Sequence, residues 1–131
     1  MAGRILIADD LSFIRLLQKE VLTEGGYQIV GEASSGREAV EKYQALAPDA
    51  VILDITMPGM NGLGAMQEIL ALDPEARVLI CSAVGQQSVI LEAIQAGAKD
   101  FIVKPFKPER LASAIHRVLE EDKKNGMPGR R

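Results

Sequence analysis

Charged and hydroxyl side chains stand at the ends of four apolar runs in this 131-residue chain. Asp9 and Asp10 follow the first run, Asp54 follows the third, and Ser82 and Lys104 follow the fourth and fifth. An unpaired charge is costly inside a strand that is buried on both faces, so these groups should lie at open strand ends. Carboxylates, an ammonium group and a hydroxyl in one place are the side chains of a phosphoryl-transfer site.

The carboxylates also predict a metal ion. Three carboxylates that lie close together repel one another strongly unless a cation lies between them. An all-oxygen cluster without histidine or thiolate ligands favours a hard ion, and Mg²⁺ suits a small site that retains several waters. In such a site Asp54 would attack phosphorus while the metal and Lys104 neutralise the phosphoryl oxygens. The pattern therefore predicts an aspartyl-phosphate site.

The elements that must position these residues alternate along the chain. Five short apolar runs rich in Val, Ile and Leu alternate with five segments of helical period, and the connections are short. This alternation predicts parallel strands joined by right-handed crossovers, with helices on both faces of the sheet. The expected fold class is α/β, a flavodoxin-like doubly wound (βα)5 sandwich with a five-stranded parallel sheet in the order 2-1-3-4-5.

Strand order decides whether the site residues meet. In an open parallel sheet, ligands bind outside the carboxyl ends of the strands. In the order 2-1-3-4-5 the first and third strands are neighbours, so Asp9, Asp10 and Asp54 converge. The second strand ends without a candidate site residue and lies at the sheet edge. Each site residue alone would be an ordinary cap or surface residue, so the prediction depends on their joint presence at four of the five strand ends.

Two helices carry clear apolar stripes and bound the folded region. The first spans residues 12–24, with a stripe of Phe13, Ile14, Leu16, Leu17 and Val21. The last opens near Pro108 and has a face of Leu111, Ala114, Ile115, Val118 and Leu119. The residues beyond it are charged, contain glycine and proline, and lack a stripe. We therefore expect one domain over residues 1–121 and a flexible C-terminal tail over residues 122–131.

Composition and termini exclude several classes of protein. A net charge of −3 gives no electrostatic reason to expect binding to nucleic acid or to an anionic membrane. Met1 leads almost directly into an apolar strand, leaving no room for a signal peptide, and no apolar stretch reaches the roughly 18 residues of a membrane span. The single cysteine, Cys81, excludes an intrachain disulfide. We expect a cytoplasmic protein with neither a nucleic-acid nor a membrane partner.

Four motifs resemble the signature of response-regulator receiver domains, over roughly residues 3–119. They are Asp9-Asp10, Leu-Asp-Ile-Thr-Met-Pro-Gly-Met-Asn-Gly around Asp54, Ser82-Ala83 and Lys104-Pro105-Phe106. Within that family, the chain is most similar to the single-domain, CheY-like chemotaxis regulators. The resemblance implies that Asp54 is the phosphoacceptor. It also implies that Asp10, Asp54 and the backbone carbonyl of Thr56 bind Mg²⁺ directly, while Asp9 acts mainly through water.

The resemblance further implies how the phosphoryl group is sensed. Lys104 would contact it, and the Lys104–Pro105 peptide bond would be cis. Ser82 would donate a hydrogen bond to a phosphoryl oxygen in the active state, and Phe101 would be the coupled aromatic switch. Thr is common in the family at the position of Ser82, and Tyr at that of Phe101. These two departures affect the details of switching rather than phosphorylation itself.

A receiver domain of this kind is a phosphoacceptor signalling protein with self-catalysed phosphotransfer and dephosphorylation, not an enzyme with a separate substrate. No strand is followed by a glycine-rich phosphate loop, so ATP is not the expected direct donor. The phosphoryl group would come from a phosphohistidine on a histidine kinase, or slowly from small phosphodonors. Phosphorylation would change an output surface of the fourth helix, fifth strand and fifth helix. The expected partner there is a flagellar motor switch protein or a phosphotransfer domain. A phosphatase is a further possible partner, and the chain is expected to be a monomer.

Three alternatives remain open from the sequence. A phosphatase of the aspartyl-phosphate type would have a second Asp two residues after the nucleophile, where this chain has Thr56. An FMN-binding electron carrier on the same fold would need a phosphate loop where Asp9 and Asp10 stand. Within receivers, a phosphorelay intermediate or the isolated receiver of a larger response regulator would have the same site. The end of the chain at Arg131 favours a standalone protein over the last possibility.

Overall fold

The predicted fold class is confirmed. The computed structural model describes the backbone of residues 3–125 and the side chains of residues 3–120. The strands are β1 (Arg4–Ala8), β2 (Gln28–Ala33), β3 (Ala50–Asp54), β4 (Val78–Ala83) and β5 (Asp100–Lys104). The helices are α1 (Ser12–Glu24), α2 (Gly36–Leu46), α3 (Gly62–Leu72), α4 (Gln87–Ala96) and α5 (Pro108–Asn125). All neighbouring strands pair in parallel, in the order β2-β1-β3-β4-β5.

Two helical layers bury the sheet. Side chains of α1 and α5 pack on one face, and those of α2, α3 and α4 pack on the other. Every residue of the central strand β3 is buried, as its continuous apolar run predicts. Side chains alternate along each strand, so neighbouring residues of β3 belong to different layers. This alternation also decides which layer each site residue faces.

The predicted bounds of α1 are correct, but its predicted apolar stripe is only partly buried: Ile14 lies in the core and Val21 packs against it, whereas the remaining members are exposed. Its buried residues are Ile14, Gln18 and Leu22, whereas Phe13 and Leu16 are 60% and 51% exposed. Apolar side chains surround more than half of this helix, so helical period alone did not identify the inner face. Packing against the sheet and α5 selects the face of Ile14 and Leu22. On α5, by contrast, the predicted buried face is confirmed.

The loop after β3 is held close to the strand end by two glycines. A Cβ on Gly62 would lie 2.2 Å from the Asp54 carbonyl oxygen, and one on Gly36 would lie 2.0 Å from that of Met60. The Gly62 amide also donates a 3.0 Å hydrogen bond to the Ile55 carbonyl. The chain therefore returns on itself within a few residues of Asp54, and the strand end is fixed by backbone contacts.

Helix α5 extends through Asn125, so the first part of the predicted tail over residues 122–131 is helical. The remainder of that tail, from residue 126, lies outside the described residues. Among the described helices, none combines the length and apolar character that a membrane crossing requires.

Substitution of Gly62 tests how the strand end is held. We expect Gly62→Ala to lower the free energy of unfolding by about 1–3 kcal/mol, because the new methyl group must displace backbone atoms of Asp54. Gly64→Ala is the matched control in the same helix. A Cβ there meets only flexible side-chain atoms of Met60 and Asn61, at 3.2 and 3.6 Å, so a gain of up to about 1 kcal/mol is expected.

Urea denaturation of both variants measures these two changes. Equal effects of the two substitutions would contradict the proposed role of Gly62 in holding the loop.

Candidate functional site

Backbone pairing brings the predicted site residues to one edge of the sheet. Ala8 pairs with Leu53, so Asp9 and Asp54 extend two neighbouring strands at the same level. Asp54 in turn pairs with Cys81, and Ala83 pairs with Lys104. The five strand-end residues that the sequence singled out therefore lie on strands that are contiguous in the sheet, from β1 to β5. This is the edge at which open parallel sheets bind ligands.

The three carboxylates form a cluster that suits a divalent cation. Asp9, Asp10 and Asp54 each offer a carboxylate oxygen, and these oxygens lie within 4.8 Å of one another. Asp9 and Asp54 are 0% and 2% exposed, whereas Asp10 is exposed. The cluster is therefore buried on the protein side and open to solvent through Asp10. An all-oxygen donor set of this size fits Mg²⁺, which retains water ligands when it binds proteins.

Asp54 is a buried carboxylate that accepts few hydrogen bonds. The amide and hydroxyl of Thr56 lie 3.3 Å from its Oδ1. Burial and the neighbouring negative charge of Asp9 raise the pKa of Asp54 above its ordinary value, and Lys104 and Thr56 offset only part of that rise. Ionisation of Asp54 therefore costs more free energy than usual when no metal ion is bound. Thr56 lies beside Asp54 as predicted, and its carbonyl remains a predicted metal ligand.

Lys104 supplies the positive charge of the site. Its ammonium nitrogen lies 2.7 Å from Asp9 Oδ2 and 3.5 Å from Asp54 Oδ1, and its side chain is largely buried. Burial alone would lower the pKa of Lys104, but the hydrogen bond with Asp9 and the charges of both carboxylates together raise it. Lys104 is therefore a cation that bridges the two buried carboxylates. The Lys104–Pro105 peptide bond is cis, as the family resemblance implies.

Ser82 and Phe101 lie on the other side of the sheet from Lys104. Ser82 lies two residues after Ile80 in β4, so it faces the same layer of α2, α3 and α4. Phe101 packs against that layer as well. The Ser82 hydroxyl is fully buried and makes no hydrogen bond within the described part of the chain. A buried hydroxyl without a partner is a candidate donor for an incoming oxygen. Phe101 is half-buried and lines a groove of about 300 Å³ with the β4–α4 loop and α4.

Sequence reasoning missed two polar contacts at this edge. The Arg15 guanidinium donates a 2.6 Å hydrogen bond from Nη1 to the Asp9 carbonyl. Gln86 Oε1 accepts a 2.7 Å hydrogen bond from the Ala83 amide, which holds the loop that follows Ser82. Neither belongs to a motif of the strand ends. The only sequence signal for Arg15 is its position next to Ile14, on a helix whose apolar residues do not define a single inner face.

Replacement of Asp54 by Asn tests the cost of its buried charge. Because the folded-state pKa of Asp54 is raised, the folded chain binds more protons than the unfolded chain as pH rises from 3.8 through that raised value. Stability from this group is thus present at low pH and lost as pH rises. We expect Asp54→Asn to stabilise the metal-free protein at pH 7, by an amount on the order of 1 kcal/mol.

Chemical denaturation of the parent and Asp54→Asn proteins, at several pH values without divalent cations, measures this difference. The gain should disappear as the pH falls below 3.8, where Asp54 is protonated in both states. A gain that is independent of pH would contradict the assignment of the effect to charge.

Comparison with known proteins agrees with the geometry. Residues 5–116 match the response regulator receiver domain family. The chemotaxis protein CheY of Thermotoga maritima is 55% identical over 118 residues, which cover 90% of this chain and 98% of the relative. The CheY of Bacillus subtilis is 53% identical and covers 91% of this chain and 99% of its own length.

Solved structures give the same result. A CheX–CheY–BeF3–Mg²⁺ complex from Borrelia burgdorferi contains a chain that is 36% identical, with a TM-score of 0.85, and the match covers 88% of each chain. NtrX from Brucella abortus is also 36% identical, with a TM-score of 0.89, over 95% of this chain and 29% of the NtrX chain. The chain belongs to the response regulator receiver domain family.

Proposed function

We propose that Asp54 accepts a phosphoryl group from a histidine kinase and that the phosphorylated chain is the active form of a chemotaxis signal. The protein is a phosphorylation-activated switch of a two-component system. One observation carries the assignment to Asp54. Its carboxylate is 2% exposed and lies 3.5 Å from the Lys104 ammonium, within the carboxylate cluster that opens to solvent at Asp10. Asp9 is buried as well, but Asp54 ends the central strand β3 and therefore lies in the middle of this edge of the sheet.

Mg²⁺ is the proposed cofactor. Asp10 and Asp54 would bind it directly, together with the Thr56 carbonyl, and Asp9 would act through water. When bound, the ion would neutralise charge on the phosphoryl oxygens. This chain's own contribution is to hold Asp54 in place through Thr56 and to direct the Lys104 ammonium at the same oxygens. The donor set supports this role because the clustered carboxylates exceed the single charge that Lys104 offers.

The proposed switch runs from Ser82 to Phe101. A phosphoryl group adds roughly −1.5 to −2 charge and three acceptor oxygens where a carboxylate stood. The unpartnered Ser82 hydroxyl would gain a hydrogen bond only in that state, and Lys104, which already contacts Asp9 and Asp54, would gain phosphoryl oxygens as partners. Such differential contacts are what bias one conformer over another. Movement of Ser82 toward Asp54 would free space on the α4 side of the sheet, into which the Phe101 ring would turn.

The proposed output surface is α4, β5 and α5. Phe101 lines the groove of about 300 Å³ beside α4, together with Ile90, Leu91 and Ile94. Movement of the ring would therefore change the shape of this groove directly. The proposed occupant is a flagellar motor switch protein, since three relatives that match over nearly their full length carry the name chemotaxis protein CheY. A phosphotransfer domain, as in a phosphorelay, is the alternative, and binding of the phosphorylated chain to each separates the two.

The remaining parts of the proposal follow from the same comparisons. The protein is a signalling protein, and its phosphotransfer and dephosphorylation would be self-catalysed at Asp54. A second protein that speeds removal of the phosphoryl group is an expected partner, and the CheX bound to the Borrelia burgdorferi CheY is a candidate for that class. The proposed place of work is the cytoplasm, and the proposed form is a monomer.

Phosphorylation by a small phosphodonor tests the assignment directly. Incubation with acetyl phosphate and Mg²⁺ should add one phosphoryl group to the parent protein, detected by intact mass and lost on hydroxylamine treatment. Asp54→Asn should show no hydroxylamine-labile modification, and Asp10→Asn should need a higher Mg²⁺ concentration because it removes a proposed metal ligand. Glu75→Gln, an exposed change outside the site, is the control and should behave like the parent.

Phosphorylation that persists in Asp54→Asn at the parent's rate would contradict the proposed function. Phosphorylation that is independent of Mg²⁺ would contradict only the proposed role of the metal.

A further inference from the structure

Arg15 links the backbone of the turn after β1 to a side chain of the edge strand β2. Its Nη1 donates a hydrogen bond of 2.6 Å to the Asp9 carbonyl, and its Nε donates one of 2.9 Å to Glu32 Oε1. The Arg15 side chain is only 18% exposed. One guanidinium therefore bridges the turn after β1 and a carboxylate on the edge strand β2. A planar fork with fixed donors suits such a bridge better than a flexible ammonium group does.

The Asp9 carbonyl belongs to the peptide group between the first two carboxylates of the cluster. That group is planar, so a hydrogen bond on its oxygen fixes the direction in which the chain enters Asp10. The Asp9 amide and side chain are held separately, by the Ala33 carbonyl at 3.0 Å and by the Leu11 amide at 3.0 Å. Asp10 itself is exposed, and among the described residues its carboxylate has no ion pair. Its position depends on its backbone.

Glu32 holds the guanidinium in place. It accepts a second hydrogen bond, of 2.8 Å, from Lys19, one turn along α1 from Arg15. The hydrogen bonds from Lys19 and Arg15 lower the pKa of Glu32, so it is a carboxylate at neutral pH. Lys42 of α2 donates to the Glu32 carbonyl and fixes the strand from its other side. The edge strand β2 has no site residue at its end, but its Glu32 carboxylate holds the Arg15 guanidinium in place.

We propose that Arg15, oriented by Glu32, is a positioning residue that fixes the Asp9–Asp10 peptide and thereby sets the affinity of the carboxylate cluster for Mg²⁺. The inference rests on the proposed metal site. Partners that orient metal ligands without touching the metal typically change metal affinity by about 10–100-fold when they are removed. Arg15 is such a partner, acting on the backbone of the ligands rather than on their side chains.

The direction in which Mg²⁺ affinity changes when Arg15 is replaced separates a positioning role from simple electrostatic repulsion. Arg15 is a cation close to the site, so Coulomb repulsion alone predicts that its removal tightens Mg²⁺ binding. A purely structural ion pair predicts lower stability with unchanged Mg²⁺ affinity. Positioning predicts weaker binding despite the loss of a positive charge. These three explanations give three different results for one substitution.

The test is to titrate Mg²⁺ alone, without any phosphodonor, into the full chain. Binding is monitored by ¹⁵N–¹H NMR and by calorimetry. Arg15→Gln is expected to raise the Kd for Mg²⁺ about 10-fold. Glu32→Gln leaves Arg15 in place without its charged anchor, so a rise of about threefold is expected. The control is Arg37→Gln, which removes an exposed arginine that pairs with Glu68 at 3.3 Å on the α2–α3 surface. Its Kd should stay within about twofold of the parent value.

Thermal unfolding without Mg²⁺ shows which variants are folded. A Kd for Arg15→Gln that is unchanged or lower than the parent value overturns the inference, whatever the change in Tm. Should Arg15→Gln fail to fold, an unchanged Kd for Glu32→Gln overturns it. A parent protein that binds no Mg²⁺ defeats the proposed metal site and the inference with it, whereas a parent that binds Mg²⁺ while both variants bind equally well defeats the inference alone.

Discussion

The ammonium group of Lys104 between two buried carboxylates is the interaction on which the rest of the site depends. Asp9 and Asp54 lie at the ends of neighbouring strands and are almost fully buried, so their charges are poorly solvated. Lys104 approaches both, but one positive charge does not balance the cluster once Asp10 is included. The raised pKa of Asp54 expresses that imbalance. The unphosphorylated site is therefore suited to take up further positive charge.

This imbalance links metal binding, phosphorylation and switching in one account. A divalent cation would offset the excess negative charge, and a phosphoryl group on Asp54 would add charge again, now within reach of Lys104. Ser82 faces the opposite helical layer and has an unpartnered hydroxyl, so it can respond to that change. Phe101 lies in the same layer beside the groove at α4. In the proposed switch, charge on one face of the sheet would be coupled to packing on the other.

Much of this arrangement could be predicted from the sequence because strand ends in a parallel sheet are strongly patterned. The fold, the strand order and the convergence of Asp9, Asp10, Asp54 and Lys104 follow from apolar runs and the residues that end them. The inner face of α1 could not be fully predicted, since its apolar residues cover more than half of the helix surface and only packing selects Ile14 and Leu22. The contact of Arg15 with the Asp9 carbonyl depends on the orientation of α1, so this contact could not be predicted from the sequence either.

In the proposed switch, phosphorylation at Asp54 changes the packing of Phe101 and α4 through Ser82. The most direct measurement is an NMR titration of the ¹⁵N-labelled protein with beryllofluoride, a stable mimic of the phosphoryl group, in the presence of Mg²⁺. We expect shift changes around Asp54 and Lys104, together with changes at Ser82, Phe101 and the α4 residues that line the groove. Shift changes confined to the surroundings of Asp54, with Phe101 and α4 unaffected, would contradict the proposed switch.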